Sequence, residues 1–301
     1  MDWDDLRIFL QLVRTGRMAG AGRALGLDDT TVGRRVARLE KQVGAPLVTR
    51  AGRRTLITEE GQKLAQAAEE MESLVLRKIT GLGEGERQPT GRVRVGAPEG
   101  LGVGYLAARL AALSADNPRL ETELVALPRS YSLASREVDI AITLDRPIAG
   151  QVKVRKLTDY TLQLYGTPAY LDRRGRPATA DDLKDHVLAG YIPELLFTRA
   201  LDFSQLGPGV ELKPVIRSTS VIAQVNAVLS GAAIGVLPAF LAAPQMALHD
   251  ALVPLLEDEV RLTRSYWLSV HDDLSHLARV RAVLDTITAV VRVDRAAFIR
   301  R

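Results

Sequence analysis

Residues 17–60, RMAGAGRALGLDDTTVGRRVARLEKQVGAPLVTRAGRRTLITEE, decide the fold. They read as a short helix, a tight turn at Leu25-Gly26-Leu27, a longer helix opened by Asp28, and a proline-interrupted, arginine-tipped hairpin. Asp28 suits an N-cap, because its carboxylate accepts from the unpaired N–H groups of a first helical turn. Val32, Val36, Leu39 and Val43 recur at three- and four-residue steps, so one face of this helix is buried. Thr31, Arg34, Arg35 and Arg38 share another face and leave a cationic surface free. After Gly44, residues 47–50 and 55–57 read as two short strands joined by Ala51-Gly52-Arg53-Arg54. A helix that fits a DNA major groove beside a basic hairpin that reaches phosphates is a winged helix-turn-helix.

The competing reading is a helical bundle whose arginines only keep it in solution, since charges on a helix face are usually just solvated. Against it, seven cations from Arg34 to Arg54 share their stretch with Glu40 as the one acid after Asp29. Clustering of one sign beside a turn is what phosphate binding needs. The expected contacts to double-stranded DNA are Thr30, Thr31, Arg34, Arg35 and Arg38 on the helix and Arg50, Arg53 and Arg54 on the hairpin.

Phe9-Leu10, Thr15-Gly16, Ala24-Leu25-Gly26, Val32, Arg34, Arg38-Leu39-Glu40, Gly44, Pro46-Leu47, Arg50, Leu56, Thr58, Glu60 and Gly61 together resemble the N-terminal domain of LysR-type transcriptional regulators. The resemblance covers the first third of the chain densely, and the length and downstream pattern suit the same family. Two positions depart from it. Where the family often has Ser-Gln-Pro at the start of the recognition helix, this chain has Asp28-Asp29-Thr30, and where it often has Ser before the arginine, this chain has Gly33. These are base-reading positions in the family, so the operator is not borrowed from better-known members.

Bulk properties agree. The 301 residues suffice for one small and one larger domain, each with its own core. The net charge of +4 is modest, and the first 65 residues, with twelve Lys/Arg against eight Asp/Glu, carry an excess of that same size. There is no cysteine, which excludes disulfides, thiolate catalysis, cysteine-zinc sites and thiol-based peroxide sensing. The start, Met-Asp-Trp-Asp-Asp, shows no signal peptide. No apolar run is long enough to span a bilayer. The expected location is the cytoplasm.

Along the chain, residues 2–14 form an amphipathic helix with Trp3, Leu6, Phe9, Leu10 and Val13 on its core stripe, ended by Gly16. Thr58 caps a long helix whose seam is Leu64, Ala67, Ala68, Met71, Leu74, Val75 and Ile79. That seam packs either on its own domain or against the same helix of a second subunit, as the resemblance implies. Residues 81–86 and 88–91, rich in glycine and acids, mark a hinge. Beyond it, strands alternate with helices: strands at 92–97, 121–127, 139–144, 153–165, 212–217, 234–237 and 266–270, helices at 105–113, 221–229 and 276–295. Parallel sheets are the expected arrangement.

The fold class is therefore α+β and multidomain: an N-terminal winged helix-turn-helix (1–58), a linker and dimerisation helix with hinge (59–90), and a C-terminal α/β effector domain (91–301). The resemblance implies two lobes like a periplasmic binding protein, lobe I at 91–161 plus 266–301 and lobe II at 162–265. It also implies a homodimer or homotetramer and RNA polymerase as a further partner.

A small-molecule effector of unknown identity would sit between the lobes, at strand ends and helix starts. The candidate effector residues are Pro98, Glu99, Gly100, Leu101, Arg129, Thr143, Tyr191, Ser218, Thr219 and Ser220. Taken singly, these glycines, hydroxyls and the tyrosine suit turns, caps and packing; taken jointly, they match the family's effector-contacting loops. Many relatives have a hydroxyl where this chain has Glu99, and a carboxylate there repels an anion unless Arg129 or another cation compensates. Either the effector is not a simple small acid, or Glu99 points away from the cleft.

No enzyme chemistry is legible. His186, His249, His271 and His276 show no metal spacing, and no nucleophile elbow, phosphate loop or dinucleotide fingerprint occurs. No catalytic residue, metal or cofactor is expected. The alternative from another class is a ligand-binding or transferase domain behind an unrelated helical front end.

Overall fold

The computed structural model describes residues 2–51, 54–80, 89–127, 137–147, 152–202, 205–207, 210–211, 213–249 and 251–299. The hinge at 81–88 and the candidates Arg53 and Arg129 lie outside them, as do the side chains of Arg50, Arg54, Leu74 and Ile79. Contacts divide the chain into a smaller N-terminal unit that contains residues 2–80, with Glu137 assigned to it, and a larger C-terminal unit that contains 89–127 and the described residues from Val138 on.

In the N-terminal unit, α1 (Trp3–Thr15), α2 (Met18–Leu25) and α3 (Asp29–Val43) enclose a core of Leu6, Ile8, Phe9, Leu10, Leu12, Ala21, Val32, Val36, Leu39 and Leu47. Gly16, Gly26 and Gly44 end the three helices in the left-handed conformation. At Gly26, φ is 68°, and only glycine takes that bend without a Cβ penalty, so the α2–α3 turn is as tight as the sequence suggests. Trp3 lies outside the expected stripe at 37% exposure, whereas Asp5 is buried at 0%. The helical phase puts Asp5 beside Leu6 and Phe9 on the face that meets α3, and Trp3, in the first turn, overhangs the edge of the bundle.

The strands β1 (Val48–Ala51) and β2 (Arg54–Ile57) pair antiparallel, with Val48 opposite Ile57. Thr58 Oγ1 then accepts from Gly61 N–H at 3.0 Å and opens α4 (Glu59–Thr80). Of its expected seam, Leu64 and Ala68 pack on the unit's own core together with Ala65, while Ala67, Met71 and Val75 are exposed. The seam thus divides into an inner half and an outer half.

The C-terminal unit contains β3 (Gly91–Ala97), α5 (Glu99–Leu101) running into a π-helical turn (Gly102–Leu106), α6 (Ala107–Asp116), β4 (Leu120–Ala126), β5 (Ile140–Thr143) and β6 (Val152–Gly166). It continues through α7 (Pro168–Arg174), β7 (Leu188–Tyr191), the short pair β8 (Gln205–Gly207) and β9 (Val210–Glu211), β10 (Ile216–Ser218) and α8 (Val221–Leu229). The chain then forms β11 (Ile234–Pro238), α9 (Ala239–His249), β12 (Val253–Leu255), β13 (Arg261–His271) and α10 (Ala278–Val293).

Parallel sheets were expected; among the described residues one mixed sheet forms instead, in the order β10-β7-β11-β6-β13-β5-β3-β4, with β12 also on β6. Pairing is parallel at β3–β4, β3–β5, β7–β10 and β7–β11, and antiparallel wherever β6 or β13 takes part. The reason is geometric: β6 and β13 each run the length of both halves in opposite directions, one leaving and one returning. The return strand is correspondingly longer than the sequence pattern suggests, starting at Arg261 rather than residue 266, and β10 is shorter than expected.

Candidate nucleic-acid interface and effector cleft

Asp28 caps α3 fully. Its carboxylate accepts from Thr31 N–H at 2.7 Å, from Thr31 Oγ1 at 2.7 Å and from Thr30 Oγ1. Hydrogen bonds from Thr30 and Thr31 hold this carboxyl far below the usual range. Both threonine hydroxyls donate inward, so toward solvent they present lone pairs only.

The three arginines of α3 are not equivalent. Asp5 on α1 accepts from Arg38 Nε at 2.6 Å and Arg38 Nη2 at 2.5 Å, and from Arg35 Nη1 at 3.0 Å. Arg38 also reaches Asp2 at 2.9 Å, and Arg35 lies 3.6 Å from both Asp2 and Asp4. Burial alone would raise the Asp5 carboxyl, but the hydrogen bonds and charges of Arg38 and Arg35 outweigh it and leave it lowered. Arg34, on the exposed side of α3, makes no hydrogen bond or ion pair among the described residues. Two arginines therefore fasten α3 to α1, and one is left to reach outward.

Glu40 has a role that the sequence did not signal. Its Oε1 accepts from Leu47 N–H at 2.8 Å and Val48 N–H at 3.1 Å, which ties the end of α3 to the first strand of the hairpin. Arg50 and Arg54 lie on the two hairpin strands, opposite Thr55 and Ala51 respectively.

In the C-terminal unit a cavity opens where β3, α5, β6, β7, α8, β11 and β13 converge. Pro98, Glu99, Gly100, Tyr191 and Thr219 line it, as the sequence suggests. Leu144, Tyr160, Leu162, Phe197, Leu201, Val221, Pro238 and Tyr266 complete the wall. Tyr160 and Tyr266, brought together by β6 and β13, stack with centroids 4.4 Å apart. Their separation in sequence exceeds 100 residues, so no local signal pairs them. Burial pushes the phenols of Tyr160, Tyr191 and Tyr266 well above the ordinary value.

The other candidates have different surroundings. Leu101 is core, 0% exposed. Thr143 Oγ1 donates to the Asp145 carbonyl at 2.6 Å and closes a turn, so its neighbour Leu144 faces the cavity instead. Ser218 Oγ accepts from Ser220 N–H at 3.1 Å. Ser220 caps α8, accepting from Ala223 N–H at 3.0 Å, and donates to Glu99 Oε1 at 2.7 Å. Glu99 is among the residues that line the cavity, with its carboxylate on Ser220 Oγ and Val221 N–H. A neighbouring cavity of about 170 Å³ shares Tyr191 and Leu201 and has Lys213, Arg217 and Gln224 on its wall.

Among the described residues, no cluster of His, Cys, Asp or Glu has the grouping of a metal site, and no helix is long and apolar enough to cross a membrane.

Comparison with known proteins fits this geometry. Residues 3–62 match the family model "Bacterial regulatory helix-turn-helix protein, lysR family", and residues 86–292 match "LysR substrate binding domain". The chain is 28% identical over 293 residues to the transcriptional regulator CrgA of Neisseria meningitidis serogroup C, covering 94% of each protein. It is 31% identical over 192 residues to an HTH-type regulator of Xanthomonas campestris, covering 62% of this chain and 54% of that regulator. The solved structure of CrgA superposes with a TM-score of 0.61 at 25% identity, over 97% of this chain and 99% of that one. Full-length LysG of Corynebacterium glutamicum, solved with bound effector Arg, has the same fold at a TM-score of 0.61 and 22% identity, over 96% and 99% of the two chains.

Proposed function

The chain belongs to the LysR family of bacterial transcriptional regulators, binding DNA through its helix-turn-helix and an effector through its substrate-binding domain, and from this premise we propose which residues do each task. Its role is regulatory rather than enzymatic, as for the named relatives. Arg34 is the base-reading cation of α3, with Thr30 and Thr31 beside it at the helix start. Arg35 and Arg38 serve double duty, holding α3 on α1 and lending their exposed edges to phosphates. Arg50, Arg53 and Arg54 form the basic wing. The observation that supports this division is the pairing of Arg35 and Arg38 with Asp5, which leaves Arg34 unengaged.

Residues 1–58 then act as the DNA-binding domain, 59–90 as linker and dimerisation helix, and 91–301 as the effector domain. Lobe I is 91–161 plus 266–301, and lobe II is 162–265. The exposed Met71 and Val75 support pairing of α4 with a second copy. Such a dimer sets two recognition helices about 34–36 Å, or a multiple, apart. A tetramer is the pair of such dimers, and contact with RNA polymerase follows from binding at promoters. The working location is the cytoplasm, where DNA is reached.

Pro98, Glu99, Gly100, Tyr191 and Thr219 form the effector cleft, with Ser218 and Ser220 behind it. Leu101 and Thr143 support the cleft from the elements beside it, and Arg129 is the cation that the sequence offers for the same role. A ligand that binds one disposition of the lobes better than another shifts the population of that state, and so the spacing of the DNA contacts.

A gel shift on the DNA upstream of the chain's own gene tests the assignment. Specific retention that falls steeply with salt is expected. Equal, weak retention of every fragment at all salt concentrations would sink it.

A further inference from the structure

Taking the cavity between the halves of the C-terminal unit as the effector site, the chemistry of its ligand is legible in how the start of α8 is occupied. A helix N-terminus is a ready seat for an effector carboxylate, with free N–H groups and partial positive charge. Here the seat is filled from within. Glu99 Oε1 accepts from Ser220 Oγ at 2.7 Å, and Glu99 Oε2 accepts from Val221 N–H at 3.1 Å. The next residue, Gly100, lies so close to α8 that a Cβ on it would come 2.6 Å from Val221 Cγ1. The α5 backbone is therefore held against α8 beside Glu99.

Among the described residues that line the cavity, Glu99 is the only charged one. A second carboxylate, Asp145, accepts from Thr198 Oγ1 nearby. The guanidinium of Arg264, whose charge reaches Tyr160, donates to the carbonyls of Ala200 and Thr263.

We infer that Glu99 is a built-in anion that bars small carboxylates from this cleft and selects an effector with an ammonium or amine head group. A carboxylate offers about four acceptor positions, and two are used here, so two remain for an incoming N–H donor. Tyr160, Tyr191 and Tyr266 make the wall aromatic, the residue type that attracts a cation, although the facing surfaces of Tyr160 and Tyr266 are taken up by their mutual stacking. The free volume of about 30 Å³ exceeds the roughly 10–15 Å³ that one water needs and so admits a small head group. An incoming carboxylate would meet Glu99 at contact distance in a partly dry site, a repulsion worth about a hundredfold or more in affinity.

The test uses the full-length protein, with n-butylamine hydrochloride and sodium butyrate as probes of equal length and opposite charge, read by thermal shift and calorimetry. The proteins are wild type, Glu99→Gln, Glu99→Thr and Val221→Trp, with retention of DNA as the check on folding. Wild type binds butylamine and not butyrate; Glu99→Gln weakens the amine about tenfold or more; Glu99→Thr, which vacates the seat, turns the preference toward butyrate. No response of wild type to butylamine overturns the inference. So does butyrate binding that Glu99→Gln leaves unchanged, which would place the ligand beside Lys213 and Arg217 in the neighbouring cavity. Val221→Trp fills the cleft and separates two failures. Amine binding that survives Val221→Trp lies elsewhere and sinks the cleft assignment, whereas binding lost in Val221→Trp but intact in Glu99→Gln sinks only the role of Glu99.

Discussion

Arg34, Arg35 and Arg38 share one helix face in the sequence yet do two different things, and Asp5 is why. A fully buried carboxylate without partners would be strongly destabilising, so the two guanidiniums that reach Asp5 are held in place by its need for compensation. Arg34→Ala should therefore cost about tenfold to a hundredfold in specific DNA affinity, the weight of a base contact, with an unchanged melting temperature; fluorescence anisotropy and a thermal melt check both halves. Asp5→Asn should behave oppositely. It should lower stability by about 2 kcal/mol, less than for a pair buried on both sides, because the arginines are partly solvated. The Asp5 carboxyl is held below its ordinary 3.8 in the folded chain, so its contribution is present above that value and is lost as pH falls through the lower, folded one. Wild type should accordingly lose N-terminal stability below about pH 4, and Asp5→Asn should lack that share of the loss. Chemical melts across pH 2–7 read the difference.

At the scale of elements, α3 was legible in outline: Asp28, the apolar seam and Gly44 set its start, face and end within a few residues of one another. What local pattern did not contain was its fastening. Glu40 stood out in the sequence only as an acid among cations, whereas its carboxylate holds the first wing strand through Leu47 and Val48. Glu40→Ala should leave two N–H groups unpaired and cost about 2 kcal/mol, with Glu40→Gln recovering part of it through its carbonyl oxygen. Gly33 tests the opposite case. A Cβ there meets nothing within 4 Å, so nothing in the fold requires glycine. Gly33→Ala should raise stability by roughly 0.8 kcal/mol, the helix propensity difference, and any accompanying loss of DNA affinity would mean that the duplex itself needs the space. In the larger unit, short elements such as α8, with one buried face, and β11, buried throughout, were read almost to the residue. The π-helical turn after α5 was not, because it depends on close packing of Gly102 and Gly104 against Ala126 and Leu241.

For the whole molecule, the outer half of the α4 seam carries the prediction. Met71 and Val75 are 49% and 42% exposed on a helix whose inner half already has its core. Met71→Glu with Val75→Glu should shift the protein toward monomer in sedimentation and weaken binding to a two-half-site operator far more than to a single half-site. Sequence alone determined the helix-turn-helix, the hairpin that follows it and the alternation of strands and helices, because caps, turns and apolar periodicity act over a few residues and need no distant partner. It also singled out Glu99 as an odd residue for its place. Only the tertiary structure decided which arginines are engaged, that the strands join in one mixed sheet, and that Glu99 fills the helix start at Ser220. Those outcomes depend on side chains 30 to more than 100 positions apart meeting at hydrogen-bond distance, and a one-dimensional pattern carries no record of such a meeting.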